Sequence, residues 1–398
     1  MTPNSDRSYK MKLRDVENAF KYRRIPYPKR SVELIALLAI SCTFFLFMHT
    51  SKLNSRLKEM EVKLQPSEFS ALGLTGNHIS GHDAGKPDDI NTLHGTYQYL
   101  KSTGQLHNVT TLHLNNTWRA RLQVAFFNSP THVGTEKLIE LLSLLSAHNG
   151  INIVANGPVQ SKSRIQTTNE EMIETQWVSQ LEKGTVYIAR GNWMNFDEYQ
   201  IEKPIYISLV RDPVDRIIHN FYEQRTTKKK AISRSIDANY PQQSNEWYKQ
   251  SFNDCVRSGN PECQYIKYSV VDRVPDFRRQ SLFFCGNHVD CLPFNTPHAV
   301  QVAKRNVEVE YAVVGTWEQA NLTLTVLEKY VPRYFNHARF LYNLHKLSYS
   351  KRYRRYAVDA DVLAMVRRNF TLEYDFYYFC KQHLYKQYLA LQMEDNLN

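Results

Sequence analysis

One stretch limits the available folds more than any other: Pro204-Ile-Tyr-Ile-Ser-Leu-Val210, followed at once by Arg211-Asp212-Pro213. An apolar, β-branched run without polar alternation marks a strand covered on both faces, as strands are in parallel sheets. Asp212 then offers an N-cap and Pro213 fits the first helical position, so a helix is predicted from Pro213 to about Arg225. The same succession occurs earlier. Leu122 to Asn128 reads as a strand and Ser129 to Gly134 as a turn. A helical pattern follows from Thr135 to His148, with Leu138, Leu141, Leu142 and Leu145 on one face and a stop at Asn149-Gly150. Further strands are predicted at Ile151–Ala155, Thr185–Ala189 and Tyr311–Gly315, and further helices at Asn321–Tyr330 and across Ala357–Leu391. Strands alternating with helices imply an α/β fold with a central parallel sheet. A chain of 398 residues buries one sizeable core with flanking segments, or two modest domains.

The formal charge of +11 is unevenly spread. Residues 1–30 hold nine Lys and Arg against Asp6, Asp15 and Glu17, and run into the 17-residue apolar stretch Val32–Met48, where Glu33 is the only charge. That length just suffices to cross a bilayer, and the heavier basic flank on its N-terminal side places the N-terminus in the cytosol. The expected organisation is a cytoplasmic tail (1–30), a transmembrane signal anchor (31–50), a stem (51–117) and a lumenal domain (118–398), as in a type II protein of the Golgi membrane. A cleaved signal peptide is the competing reading, disfavoured by the long charged leader and the lack of a small-x-small site after Phe47. Leu53, Leu57, Met60 and Leu64 trace either an oligomerising seam or an amphipathic juxtamembrane helix, and the polar, glycine-dotted residues 65–117 read as a flexible spacer. In such a lumen Cys255 with Cys263, and Cys285 with Cys291, read as short-range disulfide pairs; a zinc site built from the four with His288 is the alternative. Sequons at Asn108, Asn115, Asn321 and Asn369 suit the same compartment.

A strand that turns through glycine into a helix N-terminus presents free amides and the positive end of the helix dipole to an anion. The turn here is Ser129–Thr135, with His132, Val133, Gly134 and Thr135 as candidate ligand-binding residues. It lacks the Gly-x-x-x-x-Gly-Lys-Ser/Thr phosphate loop, and a strand–turn–helix unit that binds nothing is the plainer alternative. Arg211 stands at the C-terminal end of a buried strand, where ligands of open α/β sheets bind. Its guanidinium suits a phosphate, and equally suits pairing with Asp212 or Asp215. The clusters Lys228-Lys229-Lys230 and Lys351–Arg355 either track an acidic glycan or form a solvated face.

Residues 204–216, Phe284-Cys285-Gly286 with its following cysteine, Val314-Gly315 entering a helix, and Glu373-Tyr374-Asp375-Phe376-Tyr377 together resemble the heparan sulfate and uronyl 2-O-sulfotransferases. Within that family the similarity is to the insect pipe-like branch, and it extends from about Gln123 to Leu384. The resemblance implies a P-loop-like sulfotransferase fold with 3'-phosphoadenosine 5'-phosphosulfate as donor. It implies as acceptor a uronic acid hydroxyl of a glycosaminoglycan or glycoprotein glycan. No metal and no nucleic acid partner are expected, and a homo-oligomer is. It assigns Arg211 to the donor's 3'-phosphate, the turn at His132–Thr135 to its 5'-phosphosulfate, and the two cysteine pairs to the family's disulfides. Three positions depart from the family pattern. His132 replaces the turn's lysine, His219 replaces a serine eight residues after the arginine, and Arg190 replaces the catalytic histidine. Arginine accepts no proton at physiological pH. Two functions therefore compete: an active transferase that uses His132 and His219, and a catalytically impaired relative that binds glycan or donor as a partner protein. A glycosyltransferase is disfavoured, because no Asp-x-Asp motif stands near a strand end.

Overall fold

The computed structural model describes Met48 and residues 89–395, apart from 156, 159–166, 234–243, 266–277, 292–295 and 348–355; for 227–233 it describes the backbone alone. The expected tail, the anchor except Met48, the seam at Leu53–Leu64 and the side chains of both basic clusters lie outside the described residues. Among the described residues no helix is long and apolar enough to cross a membrane.

The folded chain opens with α1 (Leu93–Ser102) and α2 (Thr111–Leu114). The sheet-forming part follows: β1 (Val124–Asn128), α3 (Thr135–Asn149), β2 (Asn152–Ala155), α4 (Thr168–Ser179), β3 (Thr185–Ala189), β4 (Ile205–Leu209) and α5 (Pro213–Ser233). Next come α6 (Asn245–Lys249), α7 (Phe252–Arg257), α8 (Gln280–Cys285), α9 (Pro297–Val309) and β5 (Tyr311–Gly315). The chain closes with α10 (Ala320–Tyr330), α11 (Pro332–Phe335), α12 (Ala338–Leu344), α13 (Ala360–Asn369) and α14 (Thr371–Asp395).

All strand pairings are parallel, in the order β2-β3-β1-β4-β5, so β1 lies in the middle. Along β1 alternate residues go to opposite faces. Val124 and Phe126 join Tyr187 and Tyr206 beneath α5, α8 and α9, whereas Ala125 and Phe127 join Val186, Ile188 and Ile207 beneath α3, α10 and α12. Burial on both faces explains why the strand sequences are continuously apolar. The leucines expected on one face of α3 are all buried, and Gly150, at φ 58°, ends that helix in the left-handed conformation glycine adopts without strain. Gly315 serves close approach: a Cβ there would meet Thr323 Cγ2 at 2.2 Å, where α10 packs against the end of β5.

Two expectations need correction, and a third is borne out. The helix begun at Pro213 continues past Arg225 to Ser233, since the lysine-rich run contains neither Gly nor Pro to stop it. The folded unit begins near Asp89, not Trp118. Residues 89–117, read as part of a spacer, form α1 and α2 and pack on α14. Both cysteine pairs, Cys255–Cys263 and Cys285–Cys291, are closed as disulfides, so their sulfurs are not available as the thiolate set of a zinc site. Cys380 is a buried free thiol.

Candidate active site

Strand register decides which loops meet. Asn128 of β1 pairs with Ala189 of β3, and Phe127 pairs with Ile207 of β4. The chain therefore leaves three neighbouring strands at one edge, delivering the turn Ser129–Thr135, Arg190, and Val210-Arg211 side by side. This is the carboxyl edge at which open α/β sheets bind ligands.

The turn is braced from several sides. Gly134 takes φ 90° as the N-cap of α3, and its carbonyl accepts the Trp317 indole N–H at 3.0 Å. Ser129 Oγ and Thr135 Oγ1 share a hydrogen bond of 2.6 Å. Arg216, 1% exposed, donates from Nε to the Thr131 carbonyl at 3.0 Å, and Arg211 donates from Nη1 to the His132 carbonyl at 3.2 Å. Val133 is buried in the core beside the α3 leucines, so it offers a ligand only its backbone.

His132 and His219 meet above this turn, with ring centroids 5.5 Å apart and Glu223 between them. Glu223 Oε2 lies 2.8 Å from His132 Nδ1 and 3.4 Å from His219 Nδ1. The hydrogen bond from His132 holds the Glu223 carboxyl below its ordinary range, with the charge of Arg190 adding to the effect. Burial, then Arg211, push the His219 pKa down, toward the neutral imidazole. Lys137, in the first turn of α3, lies 5.6 Å from the centroid of the Trp317 ring, and burial followed by Arg211 lowers its pKa. Arg190 is exposed at the end of β3.

Arg211 is fixed through its main chain. Its N–H donates to Gln280 Oε1 at 3.2 Å, and Gln280 Nε2 donates to its carbonyl at 3.0 Å. Asp212 serves as the cap expected of it, accepting from the amides of Val214 and Asp215 at 2.9 and 3.0 Å. Its carboxylate also accepts from Tyr374 Oη at 2.9 Å. Helix amides, Arg211, Lys137 and Arg190 around one turn have the charge and donors to hold an anion; two imidazoles and a carboxylate beside them add groups able to exchange a proton.

The sequence pattern described as the sulfotransferase family matches residues 142–379, more than half of the chain. This chain belongs to the sulfotransferase family. The match starts inside α3, so the turn Ser129–Thr135 precedes it. Among relatives, the chain is 43% identical to the uronyl 2-sulfotransferase homolog pip of Drosophila melanogaster, over 98% of this chain and 95% of that one. It is 25% identical to the human uronyl 2-sulfotransferase over 67% of this chain and 64% of the other. It is 27% identical to the human heparan sulfate 2-O-sulfotransferase 1 over 51% of each.

Of the residues singled out in the sequence of this sulfotransferase-family chain, the fold gathers His132, Val133, Gly134, Thr135, Arg190, Arg211 and His219 at one edge. The sequons lie elsewhere: Asn108 and Asn321 are exposed, Asn115 and Asn369 half-buried. Glu223, Lys137, Trp317 and Gln280 went unread. Only Glu223 carried a signal, standing one helical turn after His219 on a predicted helix.

Proposed function

We propose that the chain is a glycan 2-O-sulfotransferase, moving the sulfuryl group of 3'-phosphoadenosine 5'-phosphosulfate onto a uronic acid hydroxyl of a glycosaminoglycan or glycoprotein glycan. The observation that carries this reading is the pairing of two separate anion grips at one sheet edge. The α3 N-terminus stands after β1 and Arg211 after β4, which suits a donor with a 5'-phosphosulfate and a 3'-phosphate. The names of the relatives supply the acceptor class. In the reaction the acceptor oxygen bonds to sulfur and the bond from sulfur to the bridging phosphate oxygen breaks. The hydroxyl proton goes to a base and adenosine 3',5'-bisphosphate leaves. Arg190 accepts no proton, so the base and part of the leaving-group charge fall to the group formed by His132, His219 and Glu223. The proposal includes a Golgi membrane address through an anchor at 31–50, a homo-oligomer, and glycans on the exposed Asn108 and Asn321.

A second reading rests on Arg190 and Glu223. With an arginine at the position of the family base and a carboxylate beside the turn, the chain is a catalytically impaired relative that binds donor or glycan as a partner protein. Calorimetric titration with adenosine 3',5'-bisphosphate, wild type against Arg211→Ala, tests the donor site. Micromolar binding lost in the variant supports it; no binding by folded wild-type protein sinks it. Transfer of labelled sulfate to desulfated heparan and chondroitin chains then separates the two readings: transfer favours the enzyme, binding without transfer the partner protein.

A further inference from the structure

The cluster above the turn has the composition of a metal site as well as that of a proton-exchanging group. Its members come from two elements: His132 from the turn after β1, and His219 and Glu223 one helical turn apart on α5. Their ligand atoms all lie within 4.8 Å of one another. Glu223 Oε2 stands 2.8 Å from one imidazole nitrogen and 3.4 Å from the other. In a tetrahedral zinc site with bonds of ~2.0–2.1 Å, neighbouring ligand atoms stand roughly 3.3 Å apart, so both contacts already approximate edges of a coordination polyhedron.

The backbone supports this convergence. His132 holds φ 61°, a left-handed conformation that costs a non-glycine residue energy, and from it the ring meets α5. Side-chain exposures of 18%, 25% and 46% for His132, His219 and Glu223 leave the cluster open to an ion from solvent yet flanked by protein. Two imidazoles and one carboxylate leave a fourth position vacant in a tetrahedral site, and this donor set suits zinc or cobalt better than magnesium or calcium, which prefer oxygen alone. Arg211 and Arg190 act electrostatically on His219 and Glu223. An anionic fourth ligand lying between the cation and a guanidinium balances that charge.

We propose that His132, His219 and Glu223 bind one first-row divalent cation, zinc foremost, at the mouth of the turn that opens α3. The cation deepens the donor-site reading by adding a fixed positive charge where an anionic group is to bind; in the loaded protein the three side chains hold the metal in place of the proton-accepting role set out above. Metal binding itself does not depend on that reading.

The test uses the full chain, purified in detergent without a histidine tag and stripped with a chelator. It is titrated with Co²⁺ while visible d–d absorption is recorded, then with Zn²⁺ in competition. The expected result is saturation at one Co²⁺ per chain and displacement by Zn²⁺. His132→Asn keeps a residue tolerant of positive φ, and Glu223→Gln keeps the side-chain shape; each weakens Co²⁺ binding at least about tenfold. The double variant His288→Ala, His298→Ala removes two exposed imidazoles that share Asp290, and leaves the titration unchanged. Circular dichroism checks the fold of each variant, and Glu223→Gln decides alone should His132→Asn not fold. No saturable binding by wild type, or saturation untouched by the cluster variants, overturns the proposal. Adenosine 3',5'-bisphosphate is titrated separately into stripped and loaded protein. Nucleotide binding without metal binding removes the metal site alone; metal binding without nucleotide binding removes the donor site alone.

Discussion

At the scale of single residues, the site depends on side chains that hold other residues' main chains. Gln280 clamps both backbone groups of Arg211, and Glu373 in turn accepts from the amides of Gln280 and Ser281 at 2.9 and 3.2 Å. Glu373 is fully buried, and burial raises its pKa despite hydrogen bonds from Ser281 that act the other way. Gln280→Ala removes both bonds to Arg211 while leaving the guanidinium in place. Each such bond contributes about 1 kcal/mol, so affinity for adenosine 3',5'-bisphosphate is expected to fall roughly five- to thirty-fold. Calorimetry reads the affinity, and an unchanged melting temperature shows that the fold is not the cause. Arg211 was legible as a site residue because it ends a buried strand. Gln280, 69 positions away, carried no local mark.

At the scale of elements, α14 organises the site from its first turn. Successive helical residues point about 100° apart, so three neighbours reach three partners. Glu373 receives the N-terminus of α8, Tyr374 donates to the cap of α5, and Asp375 pairs with Lys304 of α9 at 2.7 Å in a buried contact. The far end of the same helix holds the segment read as a spacer. Gln382 donates to Asn91 at 2.8 Å, Gln387 donates to the carbonyls of Leu114 and Ala312 at 3.0 and 2.7 Å, and Leu100, Val109 and Ala390 form a small buried cluster. A chain starting at residue 118 loses all contacts made by α1 and α2. Exposing Ala390 and leaving Gln382 and Gln387 short of partners is expected to lower the melting temperature by at least ~5 °C, whereas a chain starting at residue 66 melts like the full protein. Differential scanning fluorimetry compares the three; equal melting of the 118 start and the full chain would contradict the packing described.

At the scale of the whole molecule, His383 gives stability a pH dependence. It is 7% exposed, stacks with Phe379 at 6.4 Å, and its Nε2 has no hydrogen-bond partner among the described residues. Burial, then Lys386, push its pKa from 6.5 down to about 3. The folded state therefore stays neutral while the unfolded chain takes up a proton, so this contribution is intact above about 6.5 and is lost as pH falls toward 3. The cost is ~1.4 kcal/mol for each pH unit below the unfolded value. Glu373 and Asp375 act in the opposite sense: burial raises their pKa values, so their contribution falls as pH rises through the folded values. His383→Leu is expected to gain on wild type as pH drops from 7 to 5, by roughly 1–2 kcal/mol. Denaturant melts at several pH values measure the difference, and parallel curves would remove His383 as the source.

The sequence by itself determined what depends on local periodicity. Strands buried on both faces had to be apolar throughout, the α3 leucines had to share a face, and Asp212-Pro213 had to start a helix, so the α/β class, the strands and Arg211 at a strand end were readable in order. The family motifs were readable as well, though not what Glu373, Tyr374 and Asp375 do. Tertiary structure alone decided the rest. Residues 89–117 look like a linker because their partners are supplied by a helix more than 250 positions later. Glu223 joins His132 only because parallel register brings the end of β1 beside α5. A local pattern reports which side of an element is buried; it holds no information about which distant side chain fills the other half of a hydrogen bond or a ligand set.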